Sequence, residues 1–265
     1  MALPAGRMPR FELRRTDKHL ADRGGAIEER RATAIIPAFN EEATVDEVVR
    51  AAQAAELVDQ VLVVDNASTD ATADVAAAAG AKVLHNPIRG KGESMKVGVD
   101  ATDADVIVFL DADLLGLKPR HIDALVKPVL DGEADMVCGL FDRGPFLNTF
   151  FLKYLPVLTG ERAVRRRLFE HLDMDDLKGY KVEASLNAAC ADLGMKRIHF
   201  VCDGMWHLVK EKKFRNPVEG FVRKVLMLGA ATWAYLYYMG RHRMLPWAWK
   251  AVLERSKRPS NPSES

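Results

Sequence analysis

The stretch Val106–Asp113 (VIVFLDAD) places two acidic side chains directly after a continuous apolar run. Such a run is typical of a strand that is buried on both faces, as in a parallel α/β sheet. Open α/β sheets bind ligands at the carboxyl ends of their strands, where Asp111 and Asp113 would lie. Two like charges there are costly unless a cation joins them, and Mg²⁺ and Mn²⁺ prefer carboxylate oxygens. The stretch therefore predicts metal-assisted chemistry on a phosphorylated substrate.

Strand-like and helix-like segments alternate on either side of this stretch. The predicted strands are Ala32–Pro37, Gln60–Val64, Lys82–His85, Asp105–Leu110 and Asp135–Leu140. The predicted helices are Glu41–Leu57, Ala71–Ala79, Glu93–Ala101 and Pro119–Leu130. Alternation at short intervals is the signature of an α/β protein with a parallel sheet, and the first four strands predict a nucleotide-binding half.

The periodicity weakens beyond Leu140. The pattern there predicts a polar turn at Thr159–Arg162, a helix at Val164–Leu172, an amphipathic helix at Tyr180–Leu193 and a strand at Arg197–Val201. We expect this part of the chain to lie over the sheet and to bind a second substrate.

The composition narrows the class of protein. A chain of 265 residues, 48% of them hydrophobic, can bury a substantial core. The formal charge of +1 gives no overall attraction to nucleic acid, so we expect no nucleic-acid partner. The three cysteines have no CxxC spacing, which favours a reducing, cytoplasmic compartment over a disulfide framework or a zinc knuckle.

Both ends of the chain differ from its middle. Residues 1–31 carry many charges and no continuous apolar core, which predicts a mobile arm rather than a secretory signal peptide. The longest apolar stretch, Val225–Met239, is shorter than the roughly 20 residues that a bilayer-spanning helix needs. Cationic and tryptophan residues follow it, a composition that suits the inner face of a membrane or a core or homo-oligomer helix. We predict a C-terminal helical extension over 216–265 that ends in a disordered tail.

Four motifs occur together in a recognisable order. They are Ile36–Glu42 (IPAFNEE), Val64–Asp70 (VDNASTD), Arg89–Glu93 (RGKGE) and Asp111–Asp113 (DAD). With these motifs the chain resembles the GT-A glycosyltransferases of the family 2 type, which include polyprenyl-phosphate sugar transferases and glucosyl-3-phosphoglycerate synthases. The match is strong over Ala32–Leu140 and continues weakly at Leu158–Ala163 and Gly179–Glu183, which resemble the acceptor-side elements of the synthases.

The resemblance implies a GT-A fold, a Rossmann-like mixed sheet flanked by helices, over residues 32–215. Its nucleotide-binding half would be 32–140 and its acceptor half 141–215. It also implies that the nucleotide-sugar contacts Pro37, Ala38, Glu41, Asp65, Asn66, Lys91, Asp111 and Ala112. A carboxylate at Asp65 can accept the N–H of uracil or pair with guanine, so UDP-glucose is favoured and GDP-mannose stays open. The alternatives are a capping role for Asp65 and an exposed loop position for Lys91.

The resemblance also implies a metal site and a catalytic group. Asp113 would hold Mg²⁺ or Mn²⁺ directly, helping the nucleoside diphosphate to leave, while Asp111 would touch the metal, its water or the ribose. His207 would supply a third protein ligand, the alternative being a histidine satisfied by ordinary hydrogen bonds. Glu183 would take the proton of the acceptor hydroxyl or bind the sugar, the alternative being an exposed helix carboxylate.

The acceptor is the least defined substrate. The resemblance assigns Thr159, Gly160 and Arg162 to the acceptor site, and the arginine-rich segment Arg162–Arg167 is suited to an anionic group. The hydrophobic segment Phe141–Leu158 is shorter than its counterpart in the synthases, which argues against 3-phosphoglycerate. A polyprenyl phosphate fits the combination of apolar segment and arginines.

The sequence thus favours a metal-dependent glycosyltransferase that moves a hexose from a nucleotide-sugar to a phosphorylated or lipid-linked acceptor. A nucleotidyltransferase also uses a Gly-Lys loop and paired aspartates, but it would release pyrophosphate. A catalytically inactive GT-A domain that binds a partner or a membrane is the third possibility.

Overall fold

A computed structural model describes residues 32–141, 159–177 and 182–207 of the chain. The elements, in chain order, are β1 (Ala32–Ala38), α1 (Val45–Gln53), β2 (Gln60–Asp65), α2 (Thr72–Ala78), β3 (Lys82–His85), α3 (Lys91–Asp100), β4 (Val106–Phe109), β5 (Leu114–Leu115), α4 (Pro119–Leu130), β6 (Met136–Phe141), β7 (Arg162–Arg165), α5 (Arg166–Glu170), α6 (Val182–Asp192), β8 (Arg197–Cys202) and β9 (Trp206–His207). The predicted arm 1–31, residues 142–158 of the hydrophobic segment Phe141–Leu158 and the predicted extension 216–265 lie outside the described residues.

Seven of the strands form one mixed sheet in the order β3-β2-β1-β4-β7-β6-β8. Strands β1 to β4 are parallel, β7 runs antiparallel to both β4 and β6, and β8 is parallel to β6. The first half is parallel because its apolar runs alternate with crossover helices that cover both faces. The prediction of a mixed α/β sheet flanked by helices is confirmed.

The core lies in two layers, one on each face of the sheet. Helices α1, α2 and α4 pack against one face, around Val48 and Leu125. Helices α3, α5 and α6 pack against the other, around Met95 and Leu186. Both faces of the central strands are therefore dry, and their carboxyl ends form a rigid edge for the site.

The prediction of one helix over Val164–Leu172 is wrong in its first part. Arg162–Arg165 forms strand β7, and the helix α5 covers only Arg166–Glu170. Strand β7 fills the gap between β4 and β6, with Val164 opposite Ile107 and Met136. Tertiary pairing thus overrides a local pattern in which two apolar residues stand between arginines.

The helix expected at Tyr180–Leu193 is present from Val182, but it is not amphipathic. All described residues from Val182 to Cys190 are buried. Ala184 and Ala188 are among them and form a small cluster of their own. Consequently Glu183 is a buried residue and not an exposed helix carboxylate.

A small ribbon lies beside the acidic stretch. Strand β9 pairs antiparallel with β5, and the backbone of His207 lies opposite Leu114. Gly116, with a φ of 71°, allows this approach because a Cβ there would lie 2.2 Å from the carbonyl oxygen of Gly204. The sequence pattern did not predict these short strands. Among the described residues, no helix is long and apolar enough to cross a bilayer.

Candidate active site

The polar motifs follow strands whose carboxyl ends meet at one edge of the sheet. Ala38 at the end of β1 lies in register with Asp65 at the end of β2. The N–H of Asn66 donates to the carbonyl oxygen of Ala38 at 2.8 Å. Asp111 follows β4 on the other side of β1. The fold therefore brings the first, second and fourth sequence motifs to the same place.

The loops after β1 and β2 are locked together by side-chain hydrogen bonds. The Asn40 N–H donates to Ser68 Oγ at 3.0 Å, and Asn40 Oδ1 accepts the Thr69 N–H at 2.8 Å. Asn40 adopts a φ of 54°, a left-handed conformation that asparagine tolerates better than most residues. The Glu41 N–H donates to Thr72 Oγ1 at 2.8 Å. The wall beside Pro37 and Ala38 is thus held in place before any ligand arrives.

Asp65 and Asn66 have different tasks at the end of β2. Asp65 is 6% exposed; its Oδ1 accepts the Ser68 N–H at 3.3 Å, and its Oδ2 lies 3.4 Å from His85 Nδ1. The contact with Ser68 is the local one expected of a turn acid. Asn66 Oδ1 accepts the Gly90 N–H at 3.2 Å, so Asn66 fixes the loop that leads to Lys91.

Lys91 joins two acids that are distant in sequence. Its Nζ lies 2.6 Å from Asp111 Oδ1 and 3.0 Å from Glu183 Oε1. The side chains of Lys91, Asp111 and Glu183 are 30%, 21% and 12% exposed. Lys91 is therefore not an exposed loop lysine. We call these three residues the charged cluster.

The two acidic partners of Lys91 keep its ammonium group protonated. Burial alone lowers the pKa of the lysine, but the charges of Asp111 and Glu183 and their hydrogen bonds outweigh it, so the pKa is raised above its usual value. The ammonium group consequently stays protonated at neutral pH and presents one positive charge beside the acids at the end of β4.

The segment Thr159–Glu161 packs against the charged cluster. A Cβ on Gly160 would lie 2.4 Å from Asp111 Oδ2, so only glycine lets the main chain come this close to the carboxylate. Thr159 Oγ1 and Glu161 Oε2 share a hydrogen bond, and both side chains are buried. Gly160 thus borders the cluster, and Thr159 directly precedes it in the chain.

Arg162 does not border it in the way the sequence suggested. Its side chain is 0% exposed, and its guanidinium donates to the carbonyl oxygens of Thr159 and Glu183. Arg165 lies opposite Val106, at the start of β4 rather than at its carboxyl end. The assignment of Arg162 as an acceptor ligand is therefore wrong, because its guanidinium is buried. The anion site expected along Arg162–Arg167 is wrong as well, because Arg165 and Arg167 pair with Asp135, which precedes β6, and Arg166 donates to the carbonyl oxygens of Val99 and Thr102, away from the carboxyl end of β4.

The end of β4 has donors suited to a hard divalent ion. Asp113 is 7% exposed and Asp111 is partly buried, so both carboxylates lie close to a low-dielectric surface where a cation is favoured. The β5–β9 pairing brings the backbone of His207 alongside Leu114, the residue after Asp113. The described side chains contain no group of three or more His, Cys, Asp or Glu that could hold a metal. Two carboxylates are donors that suit a metal which keeps several water or phosphate ligands.

The sequence pattern missed the residues that hold the β9 ribbon. Arg120 Nη2 lies 2.6 Å from Asp203 Oδ2, and His121 Nε2 lies 3.3 Å from Asp203 Oδ1. Both partners of Asp203 come from the start of α4, and Asp203 begins the turn that leads to β9. An Asp-Gly turn was the only signal available, and it does not reveal a partner more than 80 residues away.

The chain is similar to known glycosyltransferases. A family model described as Glycosyl transferase family 2 matches residues 33–185. An uncharacterized glycosyltransferase of Mycobacterium bovis is 38% identical over 163 residues, which are 62% of this chain and 71% of the relative. Glucosyl-3-phosphoglycerate synthase of Mycobacterium tuberculosis is 37% identical over 126 residues. That match spans 44% of this chain but only 39% of the length of the synthase.

The fold is also similar to a solved structure. The crystal structure of the Mycobacterium tuberculosis glucosyl-3-phosphoglycerate synthase in complex with Mn²⁺, UDP-glucose and phosphoglyceric acid aligns with a TM-score of 0.66. The two proteins are 27% identical in that alignment, which covers 80% of each chain. The same synthase has also been solved with Mg²⁺ and UDP.

Proposed function

Because the chain belongs to glycosyl transferase family 2, we propose that it is a metal-dependent enzyme that transfers glucose from UDP-glucose to a phosphorylated acceptor. The observation that carries the proposal is the charged cluster, in which Lys91 Nζ contacts both Asp111 and Glu183. One cation and two acids meet at the strand ends where α/β sheets bind nucleotides. Solved synthase structures of the same fold contain Mn²⁺ and UDP-glucose.

The donor would bind along the edge formed by β1, β2 and β4. Pro37 and Ala38 lie on the wall that the interlocked loops hold, and the buried Asp65 lies in register with Ala38. A carboxylate in that place favours the N–H donor of uracil. Lys91 would contribute a fixed positive charge to the diphosphate, since its ammonium group stays protonated.

Asp111 and Asp113 would hold Mn²⁺ or Mg²⁺, with His207 as the proposed third ligand. When bound, the metal supplies Lewis-acid stabilisation of the departing diphosphate. Glu183, whose carboxylate contacts Lys91, would accept a hydrogen bond from a sugar or acceptor hydroxyl. The main chain at Gly160 would border the same space and would limit how the acceptor approaches Asp111.

The chemistry of the acceptor is a phosphate group with a nearby hydroxyl, or a phosphate that is itself the nucleophile. The solved synthase contains phosphoglyceric acid, whereas the hydrophobic segment before Thr159 suits a polyprenyl phosphate. A lipid acceptor would also give the proposed C-terminal extension a role at a membrane surface. We propose a phosphorylated acceptor, and a product assay separates phosphoglycerate from polyprenyl phosphate.

The test is a product assay with matched donors and acceptors. We expect UDP-glucose with Mn²⁺ to raise the melting temperature, because a ligand that binds only the folded state stabilises it. GDP-mannose with Mn²⁺ serves as the donor control. Incubation with 3-phosphoglycerate, or with a polyprenyl phosphate in detergent, should then release UDP with one of the two acceptors.

Release of pyrophosphate from a nucleoside triphosphate would replace the proposal with a nucleotidyltransferase. Absence of any donor binding in the presence of metal would favour the inactive binding module.

A further inference from the structure

Among the described residues, the largest side chain that is fully buried is the positively charged one of Arg162. A guanidinium removed from water is costly unless its N–H groups are satisfied. Nε donates to the Thr159 carbonyl oxygen at 3.0 Å, and Nη2 donates to the same oxygen. Nη1 donates to the Glu183 carbonyl oxygen at 3.2 Å. The forked guanidinium therefore ties together two main-chain segments.

These two segments are the ones that approach the charged cluster from the acceptor side. Thr159 leads into Gly160, whose main chain touches the Asp111 carboxylate. Glu183 lies in the first turn of α6 and contacts Lys91. Arg162 itself contacts neither Lys91 nor the Asp111 carboxylate through any described hydrogen bond, so its influence on the cluster passes through main-chain atoms.

The donor side is held independently. The loops after β1 and β2 lock onto each other through Asn40, Ser68 and Thr72. The Lys91 loop is tied to β2 by the hydrogen bond from the Gly90 N–H to Asn66. A change at Arg162 should therefore leave the nucleotide wall in place.

We propose that Arg162 is a positioning residue, which holds the Thr159–Glu161 segment and helix α6 at the spacing that turnover requires. The inference rests on the proposed function, because turnover is its readout. It predicts that the donor still binds, while the step that needs the Thr159–Glu161 segment and Glu183 at the right spacing is lost.

Arg162→Lys is the test, because an ammonium group keeps the charge but cannot reproduce the forked pattern of donors. Arg166→Lys is the matched control, since Arg166 also donates to two carbonyl oxygens, those of Val99 and Thr102, at the other end of β7. Melting temperature, the Kd for UDP with Mn²⁺, kcat and the acceptor KM are measured for both variants.

We expect Arg162→Lys to keep the Kd for UDP within about threefold while kcat falls at least about tenfold, and Arg166→Lys to keep both values. A folded Arg162→Lys protein with kcat within about twofold of the unchanged protein would overturn the inference, as would an equal loss in both variants. If the unchanged protein itself binds no UDP with Mn²⁺, the proposed function fails instead.

The unchanged protein provides a second test if Arg162→Lys does not fold. Amide hydrogen exchange at rising urea concentrations below the unfolding transition gives the opening free energy of each segment. A shared opening free energy for residues 159–162 and helix α6 supports the link through Arg162. Independent opening of the two segments overturns it.

Discussion

The Nζ of Lys91 lies 2.6 Å from Asp111 Oδ1, so the carboxylate proposed to meet a divalent ion is already engaged by a protein cation. At this distance the attraction between unit charges amounts to several kcal/mol even at an effective dielectric constant of about 20. A metal that binds Asp111 in the absence of nucleotide must compete with that attraction. A bound diphosphate offers Lys91 another partner, so metal and nucleotide should bind more tightly together than apart.

Replacing Lys91 by methionine should change the two affinities in opposite directions. Mn²⁺ alone should bind at least about tenfold more tightly, because its competitor at Asp111 is gone. UDP in the presence of Mn²⁺ should bind at least about tenfold more weakly, because a charge-assisted contact to phosphate is lost. Electron paramagnetic resonance of free Mn²⁺ and calorimetry of UDP measure the two values.

Lys96→Met is the matched control for this substitution, since Lys96 is a partly exposed lysine of the same helix paired with Asp100. It should change neither affinity. An unchanged Mn²⁺ affinity in Lys91→Met would show that Lys91 and the metal do not share Asp111.

Gly160→Ala should impair turnover more than stability. The new Cβ would lie 2.4 to 2.5 Å from the Asp111 carboxylate oxygens, so either the loop or Asp111 must shift. A displacement of about 1 Å in a catalytic arrangement can cost about a hundredfold in rate, whereas overpacking typically costs about 1–3 kcal/mol of stability. Steady-state kinetics and urea unfolding measure both effects.

Gly194→Ala supplies the comparison, because Gly194 has a φ of 63° but nothing within 4 Å of the added Cβ. It should lose some stability through backbone strain and keep its turnover. Equal turnover in Gly160→Ala and the unchanged protein would mean that the contact with Asp111 does not matter for the reaction.

The stability of the protein should fall in mild acid through His121, whose side chain is 1% exposed. Burial is the largest influence and lowers the pKa of His121 below its usual 6.5, against the raising effect of Asp203. Below pH 6.5 the unfolded chain then binds more protons than the folded one, so this contribution to stability is present above that pH and is lost as the pH falls.

Urea unfolding between about pH 7.5 and pH 5.5 checks this dependence. His121→Gln should show a smaller loss of unfolding free energy over that interval than the unchanged protein. The same slope in both proteins would contradict the assignment.

The parallel half of the fold was predictable because each of its strands and helices has a recognisable pattern within its own stretch of sequence. Each of β1 to β4 contains an apolar segment, and each motif follows one of those strands or opens the next helix. Strand β7 was not predictable in this way, because Arg162 and Arg165 flank its two apolar residues. Only its pairing with β4 and β6 makes it a strand. Its first residue was consequently read as part of a turn.

In the candidate site, too, the motifs could be predicted from the local sequence, whereas contacts between residues distant in sequence could not. Lys91 and Asp111 were predicted to act in one site from their motifs, but their direct contact was not, since it depends on how α3 meets the end of β4. Arg162 was misassigned because an arginine beside an acceptor motif suggests an anion ligand. Its burial against the carbonyl oxygens of Thr159 and Glu183 is set by tertiary packing alone.

Calorimetric titration of UDP, with Mn²⁺ and with the metal removed by chelation, tests most directly whether the acids after β4 hold a metal that binds the donor. The proteins compared are the unchanged chain, Asp113→Asn and the control Asp105→Asn, which alters an exposed acid before β4. We predict that Asp113→Asn and metal removal each weaken UDP binding by about a hundredfold, roughly 2.7 kcal/mol, while Asp105→Asn has no effect. Tight, metal-independent binding of UDP by folded Asp113→Asn would contradict the account.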